Sequence, residues 1–362
     1  MINLQKLKAK IIEIFAFLLY SRDNVKRIGG IKLNITIKEV AKVAGVSTAT
    51  VSMVINKKAD HITQKTKDKV FDAIKKLDYK PNYAARSLVS AQSYMIGLLL
   101  PDITNPFFAE LAKELETCLN HAGYITFLCN STEDSQQESR YIEELIARSV
   151  DGMIICGLTK GNEDKLALLR KKKIPYLNLD SRFIQNKYAI KIDDHRGGKL
   201  AANHLLELNH EIVAFIGSKS DFSNIWNRYK GFSEVITTAN KKIRLFETEL
   251  TKEGGKEVAD QLFASDATAV FCSNDLIAVG IYEQARKRGI QIPEQLSVVG
   301  FDDISFADIL IPKLTTIRQP MRDVAHMAVK QLLKMIKDRN YAFISEVLPV
   351  ELIVRESTAK LK

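Results

Sequence analysis

Apolar residues recur along this 362-residue chain in two different patterns, and the pattern changes near Tyr94. Between Asn34 and Pro81 they return every three or four residues, which is typical of amphipathic helices. From Tyr94 onward, short continuous apolar runs alternate with longer helix-like segments. The two patterns predict a helical module at residues 35–81, followed by a larger α/β body at residues 94–362.

The first helix of the module is marked at both ends. Thr36 and Glu39 have the spacing of a capping box, and Gly45 is a typical helix stop. The face that this helix buries is predicted to consist of Val40, Val43 and Ala44.

A second helix follows in the stretch VSTATVSMVIN, which runs from Val46 to Asn56. Ser47 is its predicted cap, and a third helix begins near Thr63 and ends before Pro81. The predicted buried stripes are Val51, Val54 and Ile55 in the second helix, and Val70, Ile74 and Leu77 in the third. Two short helices joined by a glycine-containing turn indicate a helix-turn-helix unit.

The body contains apolar runs with the character of buried strands. They are YMIGLLLPD, ITFLCN, DGMIICG, IPYLNLD, YAIKID, EIVAFIGS, ATAVFCSND and LSVVGFDD. Continuous apolar strands spaced by helices favour doubly wound parallel sheets. Because there are too many strands for one compact sheet, we expect two lobes that share a cleft, with a ligand at the carboxyl ends of the strands.

Charge divides the chain at nearly the same place. The formal net charge is +10; residues 1–93 carry 18 Lys and Arg against 7 Asp and Glu, and the remaining residues carry 35 against 36. A basic module joined to a neutral body points to a polyanion such as nucleic acid. A solvated basic surface explains the charge alone equally well.

The second helix is uncharged although it lies in this basic region. Its outer face is predicted to present Thr48, Ala49, Ser52, Met53 and Asn56. Mostly small side chains let a helix approach the floor of the DNA major groove, while the surrounding lysines are placed to meet phosphates. Three helices packed for stability alone explain the apolar stripes but not this combination.

Cysteine usage argues against a metal or disulfide framework. Cys118, Cys129, Cys156 and Cys272 are far apart, with no CxxC spacing and no accompanying histidine cluster. We therefore predict reduced core cysteines and no cofactor or metal.

Residues 1–34 form an N-terminal extension that imitates a signal peptide. Glu13 interrupts its short apolar run, and no typical cleavage site follows. We therefore expect neither export nor a membrane span. Our interpretation is a misassigned start, with initiation near Leu33; a peripheral amphipathic helix is the alternative.

Several runs, taken together and in order, resemble the LacI (lactose/galactose repressor) family of bacterial transcription regulators. They are TIKEVAKVAGVSTATVSMVIN, YKPNYAARSLVS, IGLLLPDITNPFF, VDGMII, SNDLIAVG, VVGFDD and LTTIRQP. The resemblance implies a helix-turn-helix head, a hinge helix at residues 82–93 and a body like the periplasmic sugar-binding proteins. It places lobe one at about residues 94–191 and 319–346, and lobe two at about residues 192–318 and 347–358.

The resemblance also assigns contacts with DNA, position by position. The residues are Ser47, Thr48, Ala49, Thr50, Ser52, Met53, Asn56, Tyr83, Arg86 and Leu88. Of these, Thr48, Ala49 and Met53 face the bases, and Leu88 enters the minor groove as a wedge that kinks the central step. The alternatives are a Leu88 that packs on the body and an Arg86 that serves only solubility.

The effector positions that the resemblance assigns lie in the body. They are Phe107, Phe108, Asp180, Trp226, Arg228, Asn274 and Asp302. This chemistry suits a sugar, because Arg228 forks across two oxygens and an aromatic ring such as Phe108 or Trp226 covers the apolar face. Each residue taken singly is equally open to a role in the core or as a loop cap. A lengthened loop near the cleft mouth, expected to carry specificity, adds Asp221, Phe222, Ser223, Asn224 and Trp226.

The leading hypothesis is a cytoplasmic, nucleoid-associated repressor of a carbohydrate operon. It binds double-stranded DNA at a pseudo-palindromic operator, and its effector is ribose or another sugar, because DITNPFF and SNDLIAVG resemble ribose-responsive members of the family. A homodimer is expected, because no heptad tail for a tetramer follows LPVELIVRESTAK.

The alternatives belong to other classes. One is a catabolite-control regulator with a protein corepressor, and another is a sugar-binding receptor, which has no use for residues 35–93. An enzyme is not expected. No dinucleotide or phosphate-binding loop is recognisable, and no nucleophile, base and acid stand at useful spacing.

Overall fold

A computed structural model describes residues 35–55, 59, 61–79, 92–132, 134–158, 163–179, 188–218 and 223–361. The chain divides into two compact units, Met1–Ser90 and Ala91–Lys362. Helices alone form the described part of the first unit, whereas sheets and helices alternate in the second. The predicted combination of a helical head and an α/β body is confirmed.

The first unit is a helix-turn-helix, as predicted. Its helices are α1 (Ile37–Ala44), α2 (Thr48–Ile55) and α3 (Gln64–Leu77). The Glu39 carboxylate accepts a 2.7 Å hydrogen bond from the Thr36 N–H, and Gly45 ends α1 with φ 67°, which favours glycine. The helices bury Val40, Ala41, Ala44, Val51, Val54, Ala59, Val70 and Ala73.

The predicted buried face of α1 is wrong at one position. Val43 is 47% exposed, and Ala41 lies in the core instead. The buried stripe has the spacing i, i+3, i+4, i+7 and begins at Ile37, so that Val43 falls on its flank.

Lobe one of the second unit is built on a parallel sheet with the strand order β2–β1–β3–β4. Along β1, Ile96, Leu98 and Leu100 enter the core on one face of the sheet, whereas Leu99 enters the core on the other. The strands are β1 (Met95–Leu100), β2 (Ile125–Asn130), β3 (Gly152–Cys156) and β4 (Tyr176–Leu179). Helices α4 (Pro106–His121) and α11 (Met321–Lys337) cover the first face, and α5 (Ser135–Ala147) and α6 (Glu163–Lys171) cover the second.

Lobe two has the strand order β12–β10–β9–β8–β6–β7, in which only the β10–β12 pair is antiparallel. Its strands are β6 (Ile212–Ser218), β7 (Lys242–Thr248), β8 (Ala269–Cys272), β9 (Ser297–Asp302), β10 (Thr315–Arg318) and β12 (Glu351–Ile353). One face is covered by α7 (Asp194–Glu207) and α8 (Ser223–Thr238), the other by α9 (Lys252–Phe263) and α10 (Asp275–Arg288). A 3-10 helix, Ser305–Asp308, follows β9.

The two lobes are connected by several passages of the chain. It crosses after β4, after β10 and after α11, and the short strands β5 (Lys191–Ile192) and β11 (Val347–Leu348) pair in parallel at this junction. Consequently α11, which follows the β10 strand of lobe two, packs on lobe one beside α4.

The predicted α/β body with parallel sheets is confirmed, and three features differ in detail. The run YAIKID yields only the two residues of β5. Strands β7, β10, β11 and β12 were not predicted. The residues Ser223, Asn224 and Trp226, predicted to belong to a loop, lie in the first part of α8.

Candidate functional site

Helices α7 and α8 approach each other unusually closely. A Cβ atom on Gly198 of α7 would lie 2.0 Å from the Arg228 carbonyl oxygen, and one on Gly231 of α8 would lie 1.9 Å from the His195 carbonyl oxygen. Only glycine permits such an approach. It brings a cation of α8 against a carboxylate of α7: the Arg228 Nε donates a 2.8 Å hydrogen bond to the Asp194 Oδ1.

The Arg228 guanidinium is fixed on several sides and is only 3% exposed. Its Nη1 donates a 2.6 Å hydrogen bond to the Ser273 carbonyl and lies 4.0 Å from the Asp302 Oδ1. Its Cζ lies 3.6 Å from the centre of the Phe301 ring, which is cation–π distance. A buried guanidinium needs such partners because it has lost water.

Asp302 and Asp303 follow one another at the carboxyl end of β9 with left-handed backbone, φ 115° and 57°. The Asp302 Oδ1 accepts a 2.7 Å hydrogen bond from the Gln319 Nε2. The Asp303 carboxylate accepts 2.6 Å hydrogen bonds from Arg318 and Arg355. Non-glycine residues persist in this conformation where their surroundings hold them, which is common at ligand sites.

A cavity of about 210 Å³ lies between the lobes, beside these groups. Leu179 ends β4, Gln319 follows β10 and Asp194 begins α7, so the cavity lies at the edge where the sequence predicts a ligand. The lining residues are Phe107, Leu111, Leu179, Ile190, Lys191, Ile192, Asp194, Ser223, Asn224, Asn227, Gln319, Met321 and Val324.

The lining combines two chemical characters. Asp194, Asn227 and Gln319 offer carboxylate and amide groups, whereas Phe107 and Leu111 offer an aromatic ring and an aliphatic wall. Such a lining suits a small molecule that carries hydroxyl groups and also has an apolar face.

A further carboxyl group, that of Asp275, lies near Asp302 and is completely buried. Its Oδ1 accepts a 2.6 Å hydrogen bond from the Thr316 hydroxyl, and its Oδ2 accepts a 2.9 Å hydrogen bond from the Ile304 N–H. Burial raises the pKa of Asp275 well above 3.8, and the Asp302 carboxylate raises it further. Asp275 thus connects the start of α10 with the turn that follows β9.

In the first unit, the outer face of α2 presents the residues predicted to face DNA bases. The Ser47 Oγ accepts a 3.0 Å hydrogen bond from the Thr50 N–H and caps the helix. Thr48 and Ala49 are exposed, whereas Ser52 and Met53 are half-buried. Met53 packs against the core of this unit, so that only part of its side chain is accessible.

Comparison with known proteins places both units in one family. Residues 36–82 match the bacterial regulatory proteins of the lacI family, and residues 202–358 match the periplasmic binding protein-like domain. A ribose operon repressor from Halalkalibacterium halodurans is 35% identical over 325 residues, which cover 89% of this chain and 97% of that protein. The chain belongs to the LacI family.

Solved structures agree with this membership. A LacI family transcriptional regulator from Enterococcus faecalis with bound ribose is 39% identical, with a TM-score of 0.69 over 74% of this chain and 100% of that chain. The lac repressor dimer bound to operator and an anti-inducer is 26% identical, with a TM-score of 0.78 over 90% of this chain and 100% of that one. Among the helices of the described ranges, none is long and apolar enough to cross a membrane.

The effector residues predicted for this LacI-family chain fall into distinct places. Phe107 lines the cavity, whereas Phe108 lies in the core of lobe one with its ring centre 5.1 Å from that of Phe107. Trp226 is 52% exposed and stacks on Tyr229, outside the cavity lining. The Asn274 side chain caps α10 and donates to the Leu250 carbonyl.

Arg228 and Asp302 are brought together beside the cavity, and they reach its lining through Asp194 and Gln319. The predicted Asp180, Asp221 and Phe222 lie outside the described residues, as do four of the DNA contacts, Asn56, Tyr83, Arg86 and Leu88.

Four polar lining residues were not predicted: Lys191, Asp194, Asn227 and Gln319. For two of them, the position in the sequence indicates a place at the ligand site. Asp194 directly follows the run YAIKID, and Gln319 ends the run LTTIRQ, so both occupy the carboxyl-end position at which ligands are expected. Asn227 directly follows the predicted loop residue Trp226, and its helical spacing from Asn224 is evident only when this segment is known to be a helix.

Proposed function

We propose that this LacI-family protein is a sequence-specific transcriptional repressor of a carbohydrate operon. A small sugar, bound in the cavity between the lobes, controls its affinity for operator DNA. The observation that carries this proposal is the polar network of Asp194, Arg228, Asp302 and Gln319 beside a small, partly aromatic cavity. D-Ribose or a related pentose is the proposed effector, since one relative is named a ribose operon repressor and another was solved with ribose.

In this proposal, Asp194, Asn227 and Gln319 bind the sugar hydroxyls, and the Phe107 ring covers an apolar face of the sugar. Arg228 and Asp302 hold Asp194 and Gln319 in place through the hydrogen bonds described above. Fixed donors and acceptors favour affinity, because less side-chain freedom is lost when the sugar binds.

At the operator, α2 lies in the major groove and the protein acts as a homodimer on a pseudo-palindromic site, as the lac repressor dimer bound to operator supports. Thr48 hydrogen-bonds a base edge, whereas Ala49 and the accessible part of Met53 make apolar contacts. Leu88 kinks the central step. A cytoplasmic location and binding without catalysis belong to the same proposal.

The proposal is tested by titrating the purified protein with D-ribose in a calorimeter, and by gel shift of an operator fragment with and without the sugar. We expect saturable ribose binding at one site per chain and a change in operator affinity when ribose is added. Specific DNA binding that no sugar alters would contradict the control mechanism, and ribose binding without specific DNA binding would favour a receptor.

Two variants separate the two sites. We expect Arg228→Lys to weaken ribose binding by about tenfold or more while operator binding without sugar persists, since a single ammonium cannot replace the fixed guanidinium fork. We expect Leu88→Ala to keep ribose binding and lose most specific operator affinity.

Trp226, the only tryptophan of the chain, neighbours the lining residue Asn227 and supplies a fluorescence signal for the sugar.

A further inference from the structure

The end of β9 and the turn that follows it, residues 302–305, make contacts in two directions. At Asp302 it accepts a hydrogen bond from Gln319, whose side chain lines the cavity. At Ser305 its N–H donates a 3.0 Å hydrogen bond to the Oε1 of Glu110, which belongs to α4 of lobe one. One short segment of lobe two therefore contacts both the effector cavity and the opposite lobe.

Apolar packing accompanies that hydrogen bond across the lobes. Ile304 is 2% exposed and belongs to the core that α4 and α11 form on the sheet of lobe one. Leu276 of α10, also in lobe two, packs against the same core. The lobes therefore meet at α4 as well as at their connecting strands.

The turn between these contacts has little freedom to deform. Asp302 and Asp303 occupy left-handed backbone, and Arg318 and Arg355 hold the Asp303 carboxylate from two sides. The Ile304 N–H is bound by the buried Asp275. A displacement of Asp302 is therefore passed on to Ile304 and Ser305 rather than absorbed by rotation in between.

We propose that Glu110 and residues 302–305 form a latch that holds the lobes closed over the effector and slows its release. This inference rests on the proposed function and specifies its regulation. Glu110 is not among the described residues that line the cavity. Its contribution to effector retention therefore acts through closure of the lobes and not through contact with the sugar.

The first test needs no effector. In Glu110→Ala, the Ser305 N–H loses its acceptor, and we expect amide hydrogen exchange of the segment 303–308 to become at least about tenfold faster in the free protein. Glu110→Gln retains an acceptor oxygen and should stay within about twofold of the wild type. Glu116→Ala is the matched control: it removes the same charge from α4, where Glu116 accepts a hydrogen bond from Asn120 of the same helix.

The second test measures ribose release by stopped-flow with Trp226 fluorescence. We expect release from Glu110→Ala to be about tenfold faster, with wild-type rates for Glu116→Ala and near-recovery for Glu110→Gln. Unchanged exchange at Ser305 in Glu110→Ala would overturn the latch. So would faster exchange accompanied by unchanged release. If the wild-type protein does not bind ribose at all, the proposed effector is wrong, and the exchange experiment alone still decides whether the contact holds the lobes.

Discussion

Arg228 lies between two carboxylates, 2.8 Å from that of Asp194 and 4.0 Å from that of Asp302. Both acids are buried, so neither is well hydrated. Removal of the cation leaves two negative charges that repel each other in a medium of low dielectric constant, and such buried charges are costly when they are unpaired. The arginine therefore supports the fold of lobe two as well as the proposed binding of a sugar.

We expect Arg228→Gln to lower the free energy of unfolding by about 3 kcal/mol, because it leaves the Asp194 carboxylate without its cation. Addition of Asp194→Asn should restore at least about 1 kcal/mol of that loss. The measurement is urea unfolding of the single and double variants.

The control is Arg244→Gln, which breaks an exposed pair with Asp266 and should cost much less, because solvent screens exposed ion pairs. If both substitutions lowered the free energy of unfolding equally, burial of the Arg228–Asp194 pair would not increase its contribution to stability.

Single residues also mark the limit of what the sequence predicts about the site. Arg228 and Asp302 were assigned by resemblance, and the structure brings them together. Asp194 and Gln319 reach the same place only because α7 packs on α8 and β10 lies next to β9, and such neighbours in space are not visible in a local pattern. Met53 lies on the predicted outer face only in part, because its long side chain also packs against the core.

Among the elements, α8 carries two functions at once. Its polar residues Asn224 and Asn227 face the cavity, while Gly231 allows contact with α7. A helix that turns amide side chains toward a ligand lacks a simple apolar stripe in that region. This explains why the segment was predicted to be a loop.

We expect Gly231→Ala to destabilise the protein by about 2 kcal/mol, although alanine is the better helix former, because the new methyl group meets the His195 carbonyl. Ribose affinity should fall as well, since the Asp194 to Arg228 contact depends on the same approach of the helices. Thermal unfolding and calorimetric titration measure the two effects. Thr237→Ala on the exposed side of α8 is the control, and a stabilised Gly231→Ala would refute the close approach.

Strand prediction succeeded for the strands that are continuous apolar runs and failed for several strands of lobe two. β1, β3, β6 and β9 are nearly continuous buried apolar runs, which are easily recognised. β7 and β12 form the two edges of the sheet in lobe two and carry exposed polar residues. Their sequences lack a continuous apolar run, so these two strands are not recognisable from the local pattern.

At the scale of the whole molecule, the last residues of the chain are fixed to lobe two by two buried histidines. His204 Nε2 lies 2.9 Å from the Thr358 hydroxyl, and His210 Nε2 lies 3.2 Å from the Ala359 carbonyl oxygen. Leu361 adds a backbone hydrogen bond to Leu208. Burial lowers the pKa of both histidines below 6.5.

Stability should therefore depend on pH. Well above pH 6.5 both histidines are neutral in the folded and the unfolded chain, so no stability is lost. As the pH falls below 6.5, the unfolded chain takes up protons that the folded chain still excludes, and the free energy of unfolding decreases by up to about 1.4 kcal/mol per pH unit and group. The loss continues until the lowered pKa of the folded protein is reached.

Urea unfolding at pH 7.5, 6.5 and 5.5 checks this dependence. We expect His210→Gln to show a smaller loss between pH 6.5 and 5.5 than the wild type, whereas His326→Gln, at an exposed position of α11, should follow the wild type. The same slope in all three proteins would rule out a contribution of His210.

The path of the chain between the lobes has a consequence for biosynthesis. The sheet of lobe one is complete at Leu179, but the helix α11 that covers one of its faces begins only at Met321, after β10. During translation, the apolar side of that sheet therefore leaves the ribosome long before its cover does. The part of this face that α11 covers is therefore exposed while most of lobe two is synthesised, and an exposed apolar surface makes a nascent chain prone to aggregation.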